Sequence, residues 1–484
     1  MIRICWIQHA SEWPLVEQVV NFLKSANFEV KMVNTTLDIH ERYLQDGLES
    51  YFISEIINSR EILSEDELIA LDWKYGFPGI KAVCNSDVHL AALFGKNESK
   101  KEQVVGQAFK FWESFFQEHE TDCVIARETA YFSTRTAYAV ARRKNLPFYL
   151  IDVAPGVFTD DYFVLCDVGE KYVWSDLIST LSNKEKKISD NKKGEILNFL
   201  QKCEEKITQP LKIRFIPPPI IKSLRNLIGM TLRINSKERR KKDPIGVAAL
   251  IFGRKKLLNR LIWKYITQPF FSYDKPHLNE KFIYFPLYSR KEAMSLTLDH
   301  YWALNEISLI KYVASSLPKG YWLYVKEHPN NPGEFSFSEL RDLKKLNNIK
   351  VIFPSFSSPV LIKASQAVVV MQGAVGWEAF LMRKPIINLG SSLYSYSSLV
   401  YNVSSISNLP YVLWQAIRVG SKIYDNNEGD WFWFIQAAIS TFKKGIFCRL
   451  FSPPYGFPLE PENSKKIADS IAQKIKRDLS HSKE

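Results

Sequence analysis

The chain has 484 residues, room for about three ordinary domains or two large ones, and its 46% hydrophobic and 24% charged residues exclude wholesale disorder. Its six cysteines (Cys5, Cys84, Cys123, Cys166, Cys203 and Cys448) are never closer than 37 residues, which excludes CxxC redox pairs and zinc-knuckle spacing and fits a reducing compartment. The net charge of +12 is concentrated: residues 212–264 hold fifteen Lys or Arg against two acids, Glu238 and Asp243, so the rest of the chain sums to −1. That distribution argues against nucleic-acid binding by the whole surface.

Residues 1–8 read as a buried first strand and lack the apolar core and cleavage site of a signal peptide. The longest strictly apolar run, 247–252, is far below the ~18 residues needed to cross a bilayer. A cytoplasmic protein is expected.

In chain order, 2–7 and 28–33 read as short strands flanking a helix over 16–25. Strands over 122–126 and 147–153 flank a helix over 132–144. Such alternation predicts βαβ units and a parallel sheet. The rhythm breaks over 183–275, which holds a lysine-rich helix, the triple proline 217–219 and the basic window. Three prolines cannot continue a helix or an interior strand, so this stretch is a joint. Apolar residues at near-helical spacing (Leu224, Leu227, Ile228, Met230; Leu257, Leu258, Leu261, Ile262) make it one or two basic amphipathic elements.

The alternation then resumes. Strands are predicted over 281–286, 321–326, 349–353, 367–371 and 385–389, with helices over 304–316, from 359 and over 376–382. The fold class expected is α/β, two Rossmann-like doubly wound parallel-sheet domains facing a cleft. The domains are 1–182, the joint 183–275, 276–440, and a helical tail 441–484.

In open parallel sheets, ligands bind beyond the carboxyl ends of strands. Three such ends in the second domain carry unusual residues. Pro286 and Leu287 open the first. Lys326-Glu327-His328-Pro329 forms the second, where the proline keeps His328 extended and fixes its imidazole at the strand mouth. The third is Gln372-Gly373-Ala374-Val375-Gly376, leading into a helix whose free N–H groups favour phosphate. Glu378, placed in that helix's first turn, would accept ribose hydroxyls or simply face the helix dipole, and the glycines would equally serve a tight turn. In the first domain Glu128 follows the strand 122–126 and is the candidate general base, with His9 and Asp152 in comparable positions. No Walker A, HExxH, GxSxG or metal-ligand cluster occurs in the sequence, which argues against kinase, protease or hydrolase chemistry.

The run Tyr284-Phe-Pro-Leu-Tyr-Ser-Arg-Lys-Glu292, then Leu317-Pro-Lys-Gly320, Tyr324-Val-Lys-Glu-His-Pro329, Gly373-Ala-Val-Gly-Trp-Glu-Ala379, Lys384-Pro385 and Leu389-Gly390 resembles the bacterial capsule polysaccharide biosynthesis family over 281–390. That family looks like GT-B glycosyltransferases and includes transferases that use CMP-activated Kdo. The resemblance implies a metal-independent glycosyltransferase that moves a sugar, CMP-Kdo-like, onto a surface polysaccharide or its lipid-linked acceptor. The donor would lie on 276–440, with Lys326, Glu327, Gln372, Gly373, Ala374, Gly376, Glu378, Pro286 and Leu287 around it, and the acceptor on 1–182. His328 would meet the donor phosphate and Glu128 would act as base. No resident cofactor or metal is implied, the nucleotide-sugar being substrate. Relatives tend to carry Ser or Thr where this chain has Gln372 and Ala374, so hydroxyl contacts are lost. Alternatives are a CDP-alcohol phosphotransferase of teichoic-acid type, an inactive membrane-recruited scaffold and, more distantly, a nucleotide-sugar epimerase. The basic cluster Lys237, Arg239, Arg240, Lys241 and Lys242 suits the anionic inner face of the cytoplasmic membrane, the other reading being a solvated linker.

Overall fold

The computed structural model describes residues 1–8, 13–59, 61–76, 79–129, 131–154, 161–168, 172–182, 188–208, 219–287, 306–329, 331–371, 373–448 and 456–481. Two sheets organise it. The first holds β1 (Ile2–Gln8), β2 (Phe28–Asn34), β3 (Ser50–Phe52), β4 (Cys123–Ala126), β5 (Phe148–Val153), β6 (Tyr162–Val168) and β7 (Tyr172–Val173). The second holds β8 (Phe282–Pro286), β9 (Trp322–Lys326), β10 (Ile349–Ile352), β11 (Ala367–Val370), β12 (Ile386–Asn388) and β13 (Tyr401–Asn402), after which β14 (Lys443–Lys444) returns to the first.

The first sheet runs β14-β6-β5-β4-β1-β2-β3, with β7 beside β6. Its β3-β2-β1-β4-β5 part is parallel, and β6 is antiparallel to β5, β7 and β14. The second sheet, β10-β9-β8-β11-β12-β13, is parallel throughout. Its central strands are buried on both faces, as the unbroken apolar run AVVV of β11 requires. Counted from its own first strand, that sheet has the order 3-2-1-4-5-6, the doubly wound arrangement expected from the sequence. Its order reverses between β8 and β11, and in the first sheet between β1 and β4. Ligands of such sheets bind in the crevice at these reversals.

The segment 441–484 is built into the first lobe. Its helix Pro461–His481 lies on the helix Trp13–Ser25 and buries Ile467, Ile471 and Ile475 completely. Lys474, buried on that helix, pairs with Asp478 at 2.9 Å, Asp167 at 3.3 Å and Asp176 at 3.4 Å. Nearby, Glu428–Thr441 packs against Ser175–Ser182, and an apolar cluster joins Val164, Leu177 and Ile196 to Trp431, Phe434 and Phe442 across the lobes.

The joint is mostly helical in its described parts, with Asp190–Thr208, Ile220–Asn235, Lys237–Lys242 and Pro244–Ile262 as its main helices. Pro219 stands at the cap position of Ile220–Asn235, while Pro217 and Pro218 lie outside the described residues. Pro244–Ile262 begins at Asp243, whose carboxylate accepts the Gly246 N–H at 3.0 Å and the N–H of Leu37, beyond β2, at 3.4 Å. At the other end Arg260 donates to Asn331, beyond β9, at 3.1 Å. Gly333 there has φ +87 and lies so close to Asn259 and Trp263 that a Cβ would come within 2.7 Å of each. Nineteen residues at ~1.5 Å each make a strut of about 28 Å between the carboxyl ends of the two sheets.

Truncating Ile471 to Ala should cost about 2–4 kcal/mol, the transfer term plus the cavity left behind. Urea unfolding measures this, and a loss under about 0.5 kcal/mol, the size of an ordinary surface change, would show that the terminal helix is no part of the first core.

Candidate functional site

The switch point of the second sheet gathers the unusual strand ends. Pro286 ends β8 in register with Lys326, and the Leu287 N–H donates to the Lys326 carbonyl at 2.9 Å. Lys326 ends β9 with its ammonium buried, donating to the Pro354 carbonyl at 3.2 Å. Burial brings its pKa down to about 8, against the opposing pull of Glu378 and Glu327. Glu378 is pushed up to about 7 by burial, with Lys326 acting the other way. A buried cation and a half-buried acid thus face each other at the reversal, each titrating near neutrality.

His328 stands on the rim. Desolvation, then the positive charges of Lys326 and Lys256, hold its pKa below the ordinary histidine range, so the ring is a neutral donor at pH 7. Lys256 comes from the strut helix, one turn before Arg260. Beyond β11, Gly373 is the cap of the helix Ala374–Leu381 with φ +93, a conformation that favours glycine. Gly373 and Ala374 are exposed, so the first N–H groups of this helix are open to an anion. Gly376 serves packing instead: a Cβ there would come within 2.3 Å of the Tyr394 ring.

In the first lobe Glu128 follows β4, at that sheet's own reversal, half-buried and hydrogen-bonded with the Tyr131 hydroxyl. The fully buried Arg135 fixes its loop, donating from Nε to the Thr129 carbonyl at 2.8 Å. Asp87 accepts the Phe132 N–H at 2.5 Å, and the His89 ring stacks on Tyr131 at 4.3 Å between centroids. Asp152, at the end of β5, lies 3.8 Å from the Arg127 guanidinium.

Several sequence expectations change in detail. The helix after β11 starts at Ala374, two residues earlier than its spacing suggests, so Glu378 lies beyond the first turn and faces Lys326 rather than the helix dipole. The Glu327 carboxylate accepts the N–H groups of Gly333 at 3.1 Å and Phe335 at 3.3 Å, which shapes the loop after β9. Leu287 belongs to the apolar core, leaving only its backbone at the strand mouth. His9 and Gln372 lie outside the described residues. In the basic cluster, Lys237–Lys242 forms a short helix. There Arg239 lies 3.8 Å from Asp38 and 3.7 Å from Asp243, Arg240 donates to the Ile234 carbonyl at 2.7 Å, and Lys242 pairs with Glu238 at 2.8 Å. Lys241 is exposed, and its carbonyl accepts from Asn58.

Three contributors are not among the site residues expected from the sequence. Tyr284 on β8 reaches Ser358 Oγ at 3.2 Å and feels the Glu378 charge. Ser358 opens a helix after β10, where only the Ser-Ser-Pro run hints at a helix start. Lys256 arrives from the joint. A cavity of about 580 Å³ lies apart from these groups, between Phe94, Val104 and Gln107 of the first lobe and Val247 and Ile251 of the strut. Among the described residues, no group of three or more His, Cys, Asp or Glu is placed to hold a metal ion.

Residues 304–410 match the family model described as "Capsule polysaccharide biosynthesis protein", less than a quarter of the chain and most of the second sheet. Among solved structures, the chain is similar to the KpsC beta Kdo 2,7 transferase of Thermosulfurimonas dismutans, with 17% identity over 63% of this chain and 80% of that one at a TM-score of 0.31. It is also similar to the UDP-GlcNAc 2-epimerase of Methanocaldococcus jannaschii solved with UDP-GlcNAc and UDP, with 11% identity over 98% and 100% at a TM-score of 0.31. Overlays at this level say nothing about substrate. A curated protein, the NASP-related protein sim3 of Schizosaccharomyces pombe, is 34% identical over 95 residues, 20% of this chain, and the chain spans 24% of that relative's length.

The Lys326–Glu378 pair sets a pH signature for anion binding at this mouth. As pH rises, Glu378 ionises through about 7 and Lys326 loses its proton through about 8, and both changes oppose an anion. Affinity for a test anion of fixed charge such as sulfate should therefore fall between pH 6 and 9, by roughly tenfold for one charge-assisted contact. Glu378→Gln should remove the lower limb and move the upper one to lower pH, since Lys326 loses the charge that raises it. Calorimetric titration reads both, and a flat profile in the unmodified chain would show that an anion does not bind beside this pair.

Proposed function

We propose that this chain, whose second lobe carries the capsule polysaccharide biosynthesis family segment, is a glycosyltransferase that moves a sugar from a nucleotide-activated donor to a glycan acceptor. The observation that carries the reading is the convergence, at the switch point of the 3-2-1-4-5-6 sheet and within that segment, of an open helix N-terminus at Gly373 and Ala374, the Lys326 ammonium and the His328 imidazole. A leaving nucleotide phosphate needs amide dipoles and a cation where its charge develops.

In the proposed reaction, an acceptor hydroxyl attacks the anomeric carbon of the donor sugar as the bond from that carbon to the phosphate oxygen breaks. The Glu128 carboxylate takes the hydroxyl proton. Lys326, still mostly protonated at pH 7, and the amides of the Ala374–Leu381 helix receive the phosphate charge, while neutral His328 donates one hydrogen bond to it. A CMP-activated, Kdo-like sugar is the first donor to test. The exposed Ala374 has no hydroxyl, so phosphate recognition here rests on backbone N–H groups and on Lys326.

Titration with CMP, CDP, UDP and GDP, followed by transfer of labelled sugar from the donor that binds, tests this reading. His328→Ala should weaken nucleotide binding by roughly tenfold, the worth of one hydrogen bond to a charged group. Glu128→Gln should leave that binding intact and lower kcat by about 10²–10⁴. Transfer of an alcohol phosphate instead of a sugar would favour the CDP-alcohol reading, and no stabilisation by any nucleotide would favour a scaffold.

A further inference from the structure

The joint presents an apolar face that the fold does not bury. On the helix Ile220–Asn235, Ile221 is 79% exposed, Leu224 51%, Ile228 61% and Leu232 68%. At 3.6 residues per turn these four fall within about 80° of arc. The opposite side does the packing, with Ser223 and Ile234 buried towards the strut helix. Soluble helices turn their apolar stripe inwards, so a stripe turned outwards marks a contact surface.

Cations flank the same stripe. Arg225, Lys222 and Arg233 are all exposed and lie successively to one side of it. The only acids of the 212–264 window are both engaged: Glu238 pairs with Lys242 at 2.8 Å, and Asp243 caps the strut helix. The strut helix repeats the pattern, with Leu258 and Ile262 exposed beside the exposed Lys255.

We infer that the outer face of the Ile220–Asn235 helix docks on an anionic lipid bilayer, its aliphatic row entering the headgroup–acyl boundary while Lys222, Arg225 and Arg233 meet the headgroups. Charge decides between a bilayer and a second copy of the chain. A twofold contact would bring the same helix face against itself, and this helix carries three cations and no acid of its own to answer them. An anionic bilayer supplies both the apolar phase and the countercharge. No helix among the described residues is long and apolar enough to cross a membrane, so this contact is peripheral in kind. The acceptor would then be met at the lipid surface, with the strut connecting that contact to both strand mouths. The docking rests on surface residues alone and stands or falls apart from the sugar-transfer reading.

Flotation of the purified full chain with phosphatidylcholine vesicles, with and without phosphatidylglycerol, tests it directly. The unmodified chain should float with the anionic vesicles and release as salt rises. Ile228→Asn with Leu232→Asn should lower that partition by at least about tenfold, since apolar insertion and charge are both needed for anchoring. Lys222→Gln, Arg225→Gln and Arg233→Gln together should abolish the preference for anionic over neutral vesicles. All five sites are exposed, so thermal unfolding should be unchanged; if the apolar variant loses stability, the charge variant carries the test. Equal flotation of the variants and the unmodified chain would overturn the proposal. So would an unmodified chain that ignores vesicles and sediments as a dimer which Ile228→Asn with Leu232→Asn makes monomeric, because the face would then be a self-interface.

Discussion

The strut helix Pro244–Ile262 fixes where everything else can act. Its first turn is anchored by Asp243, which satisfies the helix's own Gly246 N–H and the Leu37 N–H beyond β2. Its last turn is anchored by Arg260 on Asn331 and by the close approach of Gly333 to Asn259 and Trp263. A side chain at position 333 would push the helix away from the loop that carries His328. Two sheets whose carboxyl ends meet one helix are not independent lobes on a flexible linker. The same helix brings the charge of Lys256 to His328, at the mouth of the second sheet.

Against that fixed frame, the electrostatics of the second mouth follow from burial. An isolated charge at the end of a sheet buried on both faces is costly, and the fold answers by placing two opposite ones together. Lys326 and Glu378 each relieve part of the other's desolvation, yet burial remains the larger effect on both, which keeps the pair poised near neutral pH. An arriving phosphate would complete the compensation of Lys326, so ligand binding and proton binding are coupled here. Glu327, a fully buried acid, is spent instead on the N–H groups of Gly333 and Phe335, which shapes a loop.

The return of the chain to the first lobe ties the two lobes together. β14 adds an antiparallel strand beyond β6, and the helix Pro461–His481 covers the first sheet with three fully buried isoleucines. The apolar cluster from Val164 to Phe442 locks one side of the interface, while the strut spans the other. Residues early and late in sequence therefore share one core, a contact of high sequence separation that local patterning cannot announce.

The strands with the clearest patterns were legible from residues alone. The AVVV run of β11, the FIYFP run of β8 and the CVIA run of β4 read as buried strands, because both faces are apolar and each is bounded by turn residues or by a helical period. The family resemblance and the strand-end rule likewise pointed to Lys326, His328 and Gly373. Residues 35–121 gave no such rhythm, and β6 and β7 were missed as antiparallel additions, since strand direction is set by the partner strand and not by the strand's own side chains. Tertiary structure alone decided that Glu378 faces a buried lysine, that Glu327 serves a loop, that Lys256 reaches the site from the joint, and that the stripe Ile221, Leu224, Ile228 and Leu232 points outwards. Periodicity shows that a helix has an apolar side; only the packing of its neighbours determines whether that side is buried.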